Sequence, residues 1–121
     1  MKQKVHSVSY LAKAEFKLKD GVYDLVALPA GAEVVKVSLE VVGGNILTVG
    51  SVSVGFKDET KKDYFLTLDN TKNNEYATSA KDYTATSNKV IAAEVKKANG
   101  DNTKGVLRVL YFLPSVIEVE Y

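Results

Sequence analysis

Between Glu33 and Val42 the chain reads EVVKVSLEVV, which sets Val35, Val37, Leu39 and Val41 on one side and Lys36, Ser38 and Glu40 on the other. A period of two over that length is the pattern of a strand buried on one face. The alternation recurs at 51–57, with Val52, Val54 and Phe56 inward, and at 89–96, with Ile91, Ala93 and Val95 inward. Near Tyr121 it returns, Ile117, Val119 and Tyr121 facing away from Glu118 and Glu120. Residues 11–19, LAKAEFKLK, are good helix formers by propensity. Yet Ala12, Ala14, Phe16 and Leu18 alternate with Lys13, Glu15, Lys17 and Lys19, which favours a strand. Further strands are expected at about 4–11, 14–18, 22–28, 63–68 and 81–86.

Turn chemistry separates these runs. Asp20-Gly21 reads as a hairpin turn between two short strands. In Leu28-Pro29-Ala30-Gly31 proline suits the second turn position, where its φ is already set, and glycine the fourth. Gly43-Gly44-Asn45 and Asn99-Gly100-Asp101-Asn102 have the same character. Residues 69–82, DNTKNNEYATSAKD, carry one large apolar side chain, Tyr76, and are expected to form a long exposed loop. The opposite case is VLRVLYFL at 106–113, apolar at both phases except for Arg108. Leu107, Val109, Tyr111 and Leu113 can face a core, which leaves Val106, Leu110 and Phe112 in need of cover, from a segment of the same chain or from another subunit. Eight to ten short strands, no helix and no repeat predict an all-β chain, an antiparallel β-sandwich of jelly-roll-like form, with an up-and-down barrel as the alternative.

Composition agrees and then narrows function. Eighteen valines, seven tyrosines, eight threonines and four phenylalanines are strand formers. A length of 121 residues fits one domain spanning 1–121, with 1–19 as an N-terminal arm or extra strands. Sixteen basic and fifteen acidic residues are spread evenly, so nucleic acid and anionic membranes lose their simplest electrostatic support. Arginine, the best reader of guanine and phosphate, occurs once, as Arg108 in the most apolar strand. No run of apolar residues is long enough for a membrane-spanning helix, and no apolar segment follows the basic Met1-Lys2-Gln3-Lys4, so synthesis and folding in a cytoplasm are expected.

The reactive inventory is sparse. With no cysteine and a single histidine, His6, thiol chemistry is removed and neither a zinc site nor a Ser-His-Asp arrangement finds its residues. Asp58, Glu59 and Asp63 lie close in sequence but lack calcium-loop spacing and are interrupted by Lys61 and Lys62. Glu118 and Glu120 share a strand face without a cleft. No catalytic residue, metal ligand or cofactor site is therefore expected. Tyr76 and Tyr83, with Asn73, Asn74 and Asp82, offer rings and amides for a sugar-binding surface or other loop contact.

Taken together, the strand ending in Leu28-Pro29-Ala30-Gly31-Ala32, the alternating strand to Val42, Ser53-Val54-Gly55, Asp63-Tyr64-Phe65-Leu66 and Val109-Leu110-Tyr111 carry a resemblance. Over residues 22–121 the chain resembles small jelly-roll virion proteins of tailed bacteriophages and prophages, the capsid decoration (cement) and head-fibre proteins. It departs from them in the stretch to Lys19 and in GGNILTVG at 43–50. The resemblance implies a structural, non-enzymatic protein, commonly a homotrimer, made in the cytoplasm of a bacterial host. It would sit on the outer surface of the virion and clamp copies of the major capsid protein. Val5, Val8 and Tyr10 of the arm, with Val106, Leu110 and Phe112, are then the expected subunit or capsid contacts. The alternative is a glycan- or receptor-binding module of a fibre or cell-surface structure.

Overall fold

The computed structural model describes residues 1–43, 50–57, 62–69, 75–98 and 103–121. These residues form eleven strands and no helix: β1 (Lys2–Val5), β2 (Ser9–Lys17), β3 (Gly21–Leu28), β4 (Glu33–Val42), β5 (Ser51–Phe56), β6 (Leu66–Asp69), β7 (Tyr76–Ser79), β8 (Tyr83–Thr84), β9 (Lys89–Lys96), β10 (Lys104–Phe112) and β11 (Ile117–Glu120). One sheet has the order β2-β10-β4-β7, with β8 also on β4; the second has the order β3-β9-β5-β6. All pairings are antiparallel, and β1 pairs with β11 in a separate two-stranded ribbon. The chain is thus the all-β sandwich that its alternation predicts.

The core lies between the two sheets. Val37, Leu39, Leu107 and Val109 from one sheet and Val52, Val54, Ile91 and Ala93 from the other are all fully buried. The expected inward sets of β5 and β9 hold. In β4 one residue differs: Val34 is buried and Val35 is only half-buried. The register against β10 shifts there, Leu110 facing Lys36 and Tyr111 facing Val34, so Val35 is the extra residue of a β-bulge. A bulge flips the phase of everything beyond it.

Other expectations change for physical reasons. Asp20-Gly21 does not close a hairpin, because β2 and β3 belong to different sheets and the segment carries the chain across the sandwich edge. It is tied down by Leu18 N donating to Thr103 O (3.1 Å) and Ala98 N donating to Asp20 Oδ1 (2.8 Å). The proline turn is displaced by one residue. Ala32 N donates to Pro29 O, which puts Gly31 at the third position with φ +87°, the left-handed conformation a type II turn requires there. The stretch 69–82 is not all loop, since Tyr76–Ser79 form β7, paired with Val37–Glu40 of β4. Ile117, Val119 and Tyr121 alternate as expected but contribute nothing to the core, because their partner is β1. Gly44-Asn45, Asp58-Glu59, Asn73-Asn74 and Asn99 to Asn102 lie outside the described residues.

The two faces of β10 yield a direct test. Leu107 is fully buried and Leu110 only partly, so Leu107→Ala is expected to cost about 2–5 kcal/mol and Leu110→Ala about 1 kcal/mol in urea unfolding. Equal losses would mean that both faces of β10 are sealed within one chain.

Candidate assembly surface

Because β10 is paired on both sides, its outward residues sit in rows defined by register. Val106 lies between Glu15 and Glu40, Arg108 between Lys13 and Ser38, Leu110 between Leu11 and Lys36, and Phe112 between Ser9 and Glu33. The chain supplies part of the missing cover. Val106 is buried at 5% exposure, and Arg108 donates to Glu40 Oε1 at 3.2 Å. Leu110 and Phe112 are half-buried. A groove of about 260 Å³ opens over Leu110, lined by Leu11, Lys36, Ser38 and Arg108. A second, of about 410 Å³, is lined by His6, Glu33, Val35 and Phe112.

The ribbon of β1 and β11 runs on from the end of this sheet where Ser9 of β2 pairs with Phe112 of β10. Its register pairs Lys2 with Glu120, Gln3 with Val119, Lys4 with Glu118 and Val5 with Ile117. Paired residues of an antiparallel ribbon share a side. One side is therefore a ladder of opposite charges, Lys2 Nζ lying 3.7 Å from Glu118 Oε1 and the Met1 ammonium 3.4 Å from Glu120 Oε1. The other side carries Val5, Ile117 and Val119. Tyr121 N donates to Met1 O at 2.8 Å, which extends the pairing by one rung. A lone two-stranded ribbon is marginal in water, and this one leaves Ile117 53% and Tyr121 77% exposed.

The joint between ribbon and sandwich is better secured. His6 Nδ1 is 2.8 Å from Leu113 O, and Leu113 N donates to Val8 O at 2.8 Å. Pro114 packs against Gly31 so closely that a Cβ there would lie 2.8 Å from the proline Cβ. Glycine at 31 thus serves both the turn and the root of the ribbon. Gly105, on β10, is a second close approach, where a Cβ would meet the Phe16 ring at 2.6 Å.

The residues expected at contacts fall into three places. Val5 is half-buried in the ribbon, while Val8 and Tyr10 are 41% and 52% exposed at its root, the Tyr10 ring meeting Tyr111 edge-on. Val106, Leu110 and Phe112 line the outer face of β10. Tyr76 and Tyr83 do not come together: they face Glu40 and Val34 on β4, six residues and about 20 Å apart. Tyr76 is 69% exposed, whereas Tyr83 packs on Phe56 at 4.6 Å between ring centroids and on Tyr64 and Phe65. Lys81 Nζ sits 3.7 Å over the Tyr64 ring. Met1, Leu11, Val116, Ile117 and Tyr121 were not among the expected contacts. Of nine exposed large apolar residues among those described, seven fall in 1–11 and 116–121, a concentration that becomes visible only once the two segments are paired. Among the described residues no group of three His, Asp or Glu side chains is placed to hold a metal ion.

No protein-family model matches the chain, and neither does any curated protein at a significant level. Solved structures do. A chain of the acidic stable capsid structure of Helicobacter pylori bacteriophage KHP30 is 75% identical, matched over 100% of both chains with a TM-score of 0.93. A chain of the cyanophage Pam1 capsid asymmetric unit matches 88% of this chain and 85% of its own length, at 17% identity and a TM-score of 0.66, a likeness of fold.

Two substitutions separate joint from ribbon. Ile117→Asp is expected to leave unfolding free energy within about 0.5 kcal/mol of the parent, since the ribbon lies outside the core. Gly31→Ala is expected to cost about 1–3 kcal/mol from the positive φ and the contact with Pro114. Urea titrations of the two variants check both values.

Proposed function

The chain belongs to the bacteriophage capsid-associated proteins, and from that premise we propose that it is a decoration (cement) protein that binds the outer face of the assembled shell of major capsid protein. A structural capsid protein located in the virion needs surface that is satisfied only by assembly. What supports the reading is the concentration of exposed apolar residues in the ribbon and in Val8, Tyr10 and Leu11 at its root, with Leu110 and Phe112 half-buried on the outer face of β10. Patches of this kind mark interaction sites on soluble proteins. Their near-neutral setting, with the ribbon charges paired on the opposite side, suits a shape-matched apolar contact more than an electrostatic one.

Binding to the shell and not to free capsid subunits would stabilise the shell by mass action. As a homotrimer the protein would place three equivalent ribbons on the shell, and their linked binding would raise the effective affinity. The strand order β2-β10-β4-β7 against β3-β9-β5-β6 supports reading the sandwich as a jelly roll, in which consecutive strands cross repeatedly between the sheets. Synthesis in the bacterial host cytoplasm and a non-enzymatic role fit the same picture. A glycan-binding module has less support, because Tyr83 is engaged in an aromatic cluster and Tyr76 stands by itself on β7.

The test is reconstitution. Purified protein is expected to re-bind undecorated capsids and raise their melting temperature, with Ile117→Asp abolishing both effects while remaining folded. Capsids that melt at the same temperature with saturating protein, or full activity of Ile117→Asp, would remove decoration through the ribbon. Light scattering of the free protein reads the trimer directly.

A further inference from the structure

A second feature of the surface is the free edge of β2, the strand that runs on from the root of the ribbon. Among the described residues β2 pairs with β10 alone, so one side of a nine-residue strand has no partner strand. Its outward side chains are Leu11, Lys13, Glu15 and Lys17, all exposed, with Leu11 at 61%. Lys13 lies directly opposite Arg108 across the sheet, a like-charge pair that destabilises unless an anion is supplied. Arg108 is satisfied by Glu40 at 3.2 Å. Among the described residues neither Lys13 nor Glu15 makes an ion pair.

The spacing resolves this if the partner is a second copy of the same strand. In an antiparallel two-fold pairing centred on Ala14, Lys13 of each copy faces Glu15 of the other, giving two cross-strand ion pairs. Leu11 then faces Lys17, whose aliphatic stem can cover it, and Ala12 faces Phe16. Charges on edge strands usually repel unwanted partners. Here the two opposite charges flank a small residue symmetrically, so the same strand in reverse is the partner they accept. We infer that β2 is a self-complementary edge through which two copies of this chain join into one continuous sheet. On a shell, such a two-fold contact would link neighbouring decoration units, each using its ribbon for the shell itself. The contact does not depend on capsid binding, and it is tested without capsids.

Sedimentation equilibrium of the whole chain from micromolar to millimolar concentration reads the contact. The mass is expected to rise with concentration above that of the smallest unit. Lys13→Glu and Glu15→Lys, each of which sets like charges against one another in the paired edge, should weaken association by about tenfold or more. The double variant K13E/E15K restores both ion pairs and should return association to within about threefold of the parent. A circular dichroism spectrum unchanged in all three variants shows that folding is not the cause. A constant mass in the parent, single variants that associate like the parent, or a double variant no better than the singles would each overturn the inference. A protein that re-binds capsids but keeps a fixed mass loses this contact alone, and one that associates but ignores capsids loses decoration alone.

Discussion

The constraint on which the rest depends is that β10 has a neighbour on each side and apolar residues on each face. Its hydrogen bonds to β2 and β4 fix nine residues in register with both strands. Leu107 and Val109 then have no choice but to fill the space between the sheets, where they meet the inward residues of β5 and β9. The cost of that placement appears on the other side. Every even-numbered side chain of β10 must point out of the sandwich, and apart from Leu11 the flanking strands offer only charged or small residues with which to cover them. Glu15 and Glu40 flank a buried Val106, but Lys36 and Leu11 leave Leu110 half-open.

From this follows the division of labour in the molecule. The core is made by the alternation of β4, β5, β9 and β10, while residues at the two ends of the described chain leave the sandwich and pair with each other. The joint formed by His6, Leu113, Pro114 and Gly31 gives the ribbon a fixed root even though its strands touch neither main sheet through hydrogen bonds. A rigid root under a weakly self-supporting ribbon suits a contact that is completed by another surface, because little conformational entropy remains to be lost at the point of attachment.

Much of the fold is legible in the sequence because strands buried on one face must alternate. The inward sets of β5 and β9 can be read residue by residue. What escapes is long-range. The bulge at Val35 depends on the register of β10, some seventy residues later in sequence, and nothing local marks it. Asp20-Gly21 has hairpin chemistry, yet its flanking strands find better partners in opposite sheets. The pair Tyr76 and Tyr83 looks like one site in sequence and is two places in space, because Tyr76 pairs with Glu40 and Tyr83 with Val34 of β4. At the candidate surface, the doubly apolar phase of 106–113 signals a face needing cover, which the structure supplies only in part, and Val8 and Tyr10 of the arm are exposed. The exposure of Ile117 and Tyr121 is hidden, since their alternation looks the same as that of a core strand until β1 is seen as the partner.

Amide hydrogen exchange of the free and the capsid-bound protein reads out whether the ribbon docks on the shell as proposed. Fast exchange is expected in residues 2–5 and 117–120 of the free chain and strong protection of the same amides on the shell, with the amides of β10 protected in both states. Ribbon amides that exchange equally fast in both states, while the protein remains bound, would contradict docking through the ribbon.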